Sequence, residues 1–112
     1  MNVNNSVKCI FGVEKTAVMT GSTIPIGTTP AFTVNPVHLI FDNQGTVPIA
    51  IYVDGTDAPH LWRTFPAGEA LILDLRGNHG IAANFTPSIG TTFYGNGASG
   101  TFSISYTYAQ AE

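Results

Sequence analysis

Gly100-Thr101-Phe102-Ser103-Ile104-Ser105-Tyr106-Thr107-Tyr108 decides the fold class of this chain. Phe102, Ile104, Tyr106 and Tyr108 alternate with Thr101, Ser103, Ser105 and Thr107. Successive side chains of a strand point to opposite faces, so the stretch predicts a strand with one apolar and one hydroxyl-bearing face. The same period of two recurs upstream. Val37, Leu39 and Phe41 alternate with His38 and Asp42, Ile49, Ile51 and Val53 share a face, and Leu71, Leu73 and Leu75 lie opposite Ala70, Ile72 and Asp74. Strands are predicted over 7–14, 16–20, 31–34, 37–42, 48–53, 60–65, 69–76, 89–95 and 100–108.

Turns separate these runs at Gly27 to Pro30, Asn43-Gln44-Gly45, Asp54-Gly55, Pro66-Ala67-Gly68, Gly77-Asn78 and Asn96-Gly97. Asn-Gly and Asp-Gly pairs accept the positive φ that tight hairpins require. With 12 Gly and 7 Pro, the chain offers no long window for a helical period. The expected architecture is all-β: an eight- to nine-stranded antiparallel β-sandwich, jelly-roll-like. Asn78 to Ser88 reads as an ordered loop carrying Phe85, and Ala109 to Glu112 as a fraying end.

The length of 112 residues fits a single domain spanning 1–112, with residues 1–35 a less regular arm or set of strands. Met1-Asn2-Val3-Asn4-Asn5 has neither the basic nor the apolar segment of a signal peptide, so synthesis in a cytoplasm is expected. No apolar run has the length of a membrane-spanning helix. Cys9 is the single cysteine; it excludes an internal disulfide and, within Cys9-Ile10-Phe11, reads as a small buried hydrophobe.

Charge is the unusual feature. Lys and Arg number 4 and Asp and Glu 7, so 10% of the chain is charged, against about 25% in an average soluble domain. Interface cores are depleted in charge, so one reading is that neighbouring subunits cover much of this surface. The other is a Thr-rich surface that is simply uncharged. A net charge of -3 with 4 basic residues gives no footprint for nucleic acid or for an anionic membrane, so neither is an expected partner.

Candidate chemistry is sparse. His38, His60 and His79 stand at no metal-ligand spacing from one another. In a homotrimer, His38 could still meet its copies on the axis and bind an ion. Asp54-Gly55-Thr56-Asp57 places two carboxylates in one turn, as calcium loops do, but lacks the EF-hand spacing. No Gly-x-Ser-x-Gly elbow occurs, and Gly97-Ala98-Ser99-Gly100 reads as a small-residue turn. Glu14, Asp42, Asp54, Asp57, Glu69 and Asp74 are the carboxylates from which a glycosidase pair would have to come. Glu69 opens a strand, and Asp74 is expected to pair with Arg76 or Arg63. The Gly-rich stretches lack the lysine and helix of a phosphate loop. No enzyme activity, cofactor or resident metal is therefore expected.

Trp62, within His60-Leu61-Trp62-Arg63-Thr64-Phe65, is the residue that could anchor recognition. If Leu61 faces inward, Trp62 faces outward with His60, and a Trp beside Arg63 suits an interface hot spot or a sugar-stacking platform. The alternative is a core tryptophan. Trp62, Phe65 and Phe85, with His60 and Arg63, are the candidate interface residues.

From Val37 onward the order of features resembles small virion structural proteins of tailed bacteriophages. It runs through Phe41-Asp42-Asn43, Ile49 to Val53 ending in Asp54-Gly55-Thr56-Asp57, Phe65-Pro66-Ala67-Gly68-Glu69, and Leu73-Asp74-Leu75-Arg76-Gly77-Asn78. It continues with Gly90-Thr91-Thr92-Phe93-Tyr94 and Gly100 to Tyr106. The resemblance covers about residues 35–108 and rests on turn and strand signals. It implies a non-enzymatic part of a virion: a capsid decoration (cement) protein, a head-to-tail connector part or a small tail component. By analogy, decoration as a jelly-roll homotrimer leads, with the capsid or connector protein as partner. A carbohydrate-binding module or adhesin is the alternative, and a cupin-type barrel enzyme the third reading, for which no His/Glu cluster is present.

Overall fold

The computed structural model describes residues 7–27, 31–75 and 87–111. Nine strands form: β1 (Val7–Phe11), β2 (Lys15–Val18), β3 (Ile24–Pro25), β4 (Pro36–Asn43), β5 (Ile49–Val53), β6 (Leu61–Phe65), β7 (Ala70–Asp74), β8 (Phe93–Asn96) and β9 (Thr101–Ala111). A single 3₁₀ turn, Ala58–His60, precedes β6. All pairings are antiparallel.

β1 and β2 lie end to end along one edge of β9. Phe11 stands opposite Thr107 and Lys15 opposite Ile104, so the β1/β2 side carries one residue more than β9 across Gly12 to Glu14. They are one long strand interrupted by a bulge. One sheet then runs β1/β2-β9-β4-β7 and the other β3-β8-β5-β6. Pairs nest outward from β5–β6 through β4–β7 and β3–β8 to β1/β2–β9. This is one long antiparallel hairpin rolled up, closed by the β4–β9 and β5–β8 pairings. The result is a jelly roll, a two-sheet β-sandwich as the alternating runs predicted.

The predicted inward faces form the core. Leu39, Phe41, Ile49, Ile51, Phe93, Phe102 and Ile104 are fully buried, with Leu71, Leu73, Leu75 and Tyr108 packed against them. Aromatic rings run continuously through it: Tyr106 to Phe32 (4.9 Å), Phe32 to Phe93 (5.8 Å), Phe93 to Phe41 (5.4 Å), Phe41 to Phe65 (5.8 Å) and Phe65 to Phe102 (5.1 Å). Most of these pairs meet edge to face, the arrangement the ring quadrupole favours.

Several expectations are corrected. Residues 31–34 are not a strand. Phe32 alone exchanges bonds with its neighbours, donating to the Thr91 carbonyl (3.1 Å) and accepting from Gly90 (2.8 Å), and two bonds do not make a ladder. A short strand at Ile24–Pro25 was missed; Pro25 lacks a donor and Gly27 turns the chain at φ 97°, so nothing longer forms. β8 begins at Phe93, not at 89. Ala109 to Ala111 do not fray, because β1 pairs with them. Cys9 is exposed, since it shares the outward face of an edge strand with Ala109. The Gly77-Asn78 turn, Arg76, His79 and Phe85 lie outside the described residues, as does most of the Asn78 to Ser88 loop.

Candidate functional site

Apart from Phe85, which lies outside the described residues, the candidate interface residues converge on the β5–β6 turn and β6. Asp54 leaves β5 with φ 60°, a left-handed conformation that Asp tolerates better than most residues. Its N–H donates to the Thr92 carbonyl (2.9 Å), and its Oδ1 accepts from the Thr92 N–H (2.8 Å) and hydroxyl (3.2 Å). The carboxylate thus pins the turn to the start of β8. Three residues on, Asp57 caps the 3₁₀ turn: its carbonyl accepts from the His60 N–H (2.9 Å), and its Oδ1 hydrogen-bonds with His60 Nδ1. The histidine bond, with the backbone bond second, holds the Asp57 carboxyl below its usual range. The two acids of the proposed calcium loop therefore face different partners. Among the described residues, no group of three or more His, Cys, Asp or Glu is placed to hold a metal ion.

β6 departs from simple alternation. Ile51 pairs with Arg63 and Tyr52 with Leu61, leaving Trp62 as an extra residue in a bulge. The bulge reverses the expected orientation. Leu61 faces out, half-exposed, while the Trp62 ring packs inward against Phe41 (5.0 Å), Phe65 (5.9 Å) and Phe93 (6.5 Å). Trp62 is thus a partly buried core residue and offers no flat, outward platform for stacking a sugar. Phe65 is 0% exposed and lies in the core, so a partner cannot reach it as an anchor. Its position follows from Ile49, its inward-facing cross-strand neighbour.

Arg63, also on the inner side of β6, stacks its guanidinium 4.4 Å from the Phe65 ring centre and pairs with Glu69, which opens the next strand. That bond joins the edges of the two sheets where the chain crosses from β6 to β7. Asp74 faces His38 across the β4–β7 ladder, with His38 Nε2 3.7 Å from Asp74 Oδ1; of its two expected partners, Arg63 pairs with Glu69 and Arg76 lies outside the described residues. His38 Nδ1 hydrogen-bonds with the Thr107 hydroxyl (2.8 Å). His38 is therefore engaged within its own chain.

Lys15 adds to this pattern of internal use. Although charged, it is buried, its ammonium 5.1 Å from the Phe32 ring centre and 5.9 Å from that of Tyr106, and burial lowers its pKa. Among the described residues, Lys8 is the one Lys or Arg that is neither buried nor in an ion pair. Meanwhile Phe11, Val13, Val18, Leu61, Ile72 and Ile89 are exposed. Phe11, Val18 and Ile72 share the outer face of the β1/β2-β9-β4-β7 sheet, since paired residues lie on one face and Phe11 pairs Thr107, Val18 pairs Thr101 and Ile72 pairs Ile40. Sequence reasoning did not single these residues out. Their signal was an apolar side chain on the polar half of an alternating run, as with Ile72 between Ala70 and Asp74.

The fold and its surface define a jelly-roll β-sandwich whose outer face sets exposed apolar side chains beside a few charged ones, Asp42 and Asp74 among them. Comparison of the sequence with protein-family models and with curated proteins finds no match.

Proposed function

We propose that the protein is a non-enzymatic structural protein of a tailed-phage particle, a capsid decoration subunit that packs uncharged β-sandwich surface against its own copies and the shell. The observation that carries this reading is the fate of the few charges. Lys15 is buried, Arg63 is spent on Glu69, and Asp57 and Asp74 face histidines of the same chain, while large apolar side chains stand exposed. A protein that stays free in solution keeps charge outward and apolar patches small. A subunit covered by neighbours needs neither, and closed symmetry multiplies modest contacts into a stable assembly.

The test is mass spectrometry of purified particles from the phage genome that encodes the chain, followed by immunogold labelling. The expected result is a multicopy particle protein with label distributed over the head. Label confined to the neck or tail would reassign it to a connector or tail part. Absence from the particle would end the reading.

A further inference from the structure

We infer that two copies of the protein join edge to edge through β1, pairing Val7–Phe11 antiparallel to the same residues of a second copy about a two-fold axis at Cys9. The contact rests on the reading of the chain as a self-assembling structural protein and deepens it by naming the surface.

β1 runs past the body of the sandwich. β4 begins at Pro36, opposite Tyr108, and beyond that point β1 and the end of β9 pair as a ribbon: Cys9 with Ala109, Lys8 with Gln110 and Val7 with Ala111. Among the described residues, no third strand flanks these three pairs. A two-stranded ribbon is at best marginally stable in water, and a strand added at its edge supplies the support it lacks. An open edge invites such pairing unless it is blunted. The β2 stretch of the same edge is closed, because the Thr16 carbonyl already accepts from the Gly27 N–H (3.1 Å). β1, with the sequence Val-Lys-Cys-Ile-Phe, holds five residues in unbroken register and contains no proline.

The hydrogen bonds to β9 fix which groups the β1 edge presents. Gly12, directly after β1, donates its N–H to the Tyr106 carbonyl (2.9 Å). In an antiparallel ladder the N–H and C=O of one residue point the same way, and the direction alternates along the strand. Lys8 and Ile10 therefore bond toward β9 with Gly12, whereas Val7, Cys9 and Phe11 direct their N–H and C=O outward.

The edge is its own complement, which is why the occupant is a second copy. With the two-fold axis at Cys9, Cys9 exchanges both bonds with its copy, and each Phe11 does so with the other chain's Val7. Any other two-fold centre leaves at least one outward residue without a partner inside the strand. The residue types agree. Phe11, 76% exposed in the single chain, gains a flanking strand. Lys8, the one charged residue of β1, comes opposite Ile10. The two Lys8 are diagonal neighbours, both exposed, so their stems can carry the ammonium groups apart into water. The joined sheet runs β4-β9-β1-β1-β9-β4 across the junction, and the ribbon becomes four-stranded. Such a contact is isologous and closes as a dimer, in place of the trimer suggested by analogy.

The experiment joins solution mass, amide exchange and thiol linking. Light scattering on the unmodified protein should give about twice the chain's 11.8 kDa, with the Val7, Cys9 and Phe11 amides exchanging on the order of 100-fold more slowly above the dimer dissociation constant than below it. Residues directly opposed at a hydrogen-bonded position have Cα atoms about 5.5 Å apart, within the span of a disulfide. Diamide, which takes two electrons and two protons from a pair of thiols, should therefore link two copies through Cys9. Ser22→Cys in a Cys9→Ser background puts an exposed thiol at the other end of β9, where Gly21 bonds to Gly97. It should link on the order of 10-fold more slowly, having no partner thiol held at high effective concentration. Cys9→Lys sets two ammonium groups opposite each other, and Cys9→Pro removes an outward N–H while sparing the bonds to β9. Both should be monomers with an unchanged far-ultraviolet circular dichroism spectrum. A monomer at high concentration overturns the contact, and so do protection of these amides in a monomer and equal linking rates for the two thiols. An oligomer that survives Cys9→Lys also overturns it but leaves the virion reading standing, because particle labelling judges that separately.

Discussion

Asn43 is the residue whose replacement tests the closure of the sandwich most directly. It ends β4 with its side chain fully buried, although it is polar. Its Nδ2 donates toward three carbonyls, those of Val47 (3.0 Å), Phe65 (3.1 Å) and Pro66 (3.0 Å), and its Oδ1 accepts from the Gly45 N–H (2.9 Å). One side chain thus ties the β4–β5 turn to the β6–β7 turn at one end of the barrel. The amide has only two protons for its three acceptors, so the set amounts to about three full hydrogen bonds, each worth roughly 1 kcal/mol net. The Phe65 carbonyl is buried and would be left without this donor, which costs roughly 1–3 kcal/mol where water cannot replace it. Asn43→Ala is therefore expected to lose about 4–6 kcal/mol. Urea unfolding followed by tryptophan fluorescence should show this as a fall of about 2 M in the midpoint with the slope unchanged. Asn43→Asp should be at least as damaging at neutral pH, because it sets a carboxylate against three carbonyl oxygens. It should recover as the pH falls and the acid takes up a proton with which to donate. A loss below about 1 kcal/mol for Asn43→Ala would refute the closure role, since it would mean that water serves all three carbonyls equally well.

Trp62→Ala should destabilise the protein by roughly 3 kcal/mol through the cavity left beside Phe41, Phe65 and Phe93, while Trp62→Phe costs less than about 1.5 kcal/mol; a thermal shift near zero for the alanine variant would return Trp62 to the surface. Gly55→Ala should displace the His60 ring, because a Cβ there would stand 2.5 Å from Nδ1. The Asp57 carboxyl should then rise toward the ordinary 3.8 in an NMR titration. In the wild type its pKa is depressed on folding, so its small stabilising contribution is present above pH 3.8 and lost as the pH falls through the lower folded value. The variant should lack that acid-limb loss, and an unshifted Asp57 resonance would show that the histidine bond is not its cause.

The difference between what was legible in the sequence and what was not follows from the range of the forces involved. The runs at 37–42, 48–53 and 100–108 read correctly because their faces are set by residue-to-residue alternation, which any strand geometry preserves. Even Asp54 at positive φ followed from local turn chemistry. Trp62 read wrongly because its orientation depends on one extra residue opposite Ile51 and Tyr52. A bulge is a property of the pairing, not of either strand alone, and it inverts every side chain beyond it relative to the alternation before it. Arg63 needs no inversion: it follows Phe65 by plain alternation onto the inner side, where Phe65 and Glu69 hold it, so the two side chains of β6 most suited to recognition both turn inward. What the surface keeps is the β7 edge with Ile72. That feature was legible only as an isoleucine on the wrong half of an alternating run, and its meaning depends on the ladder. Once β7 is seen to pair with β4, Ile72 is set opposite Ile40 on the outer face of the sheet, a placement that no local reading of Ala70 to Asp74 supplies.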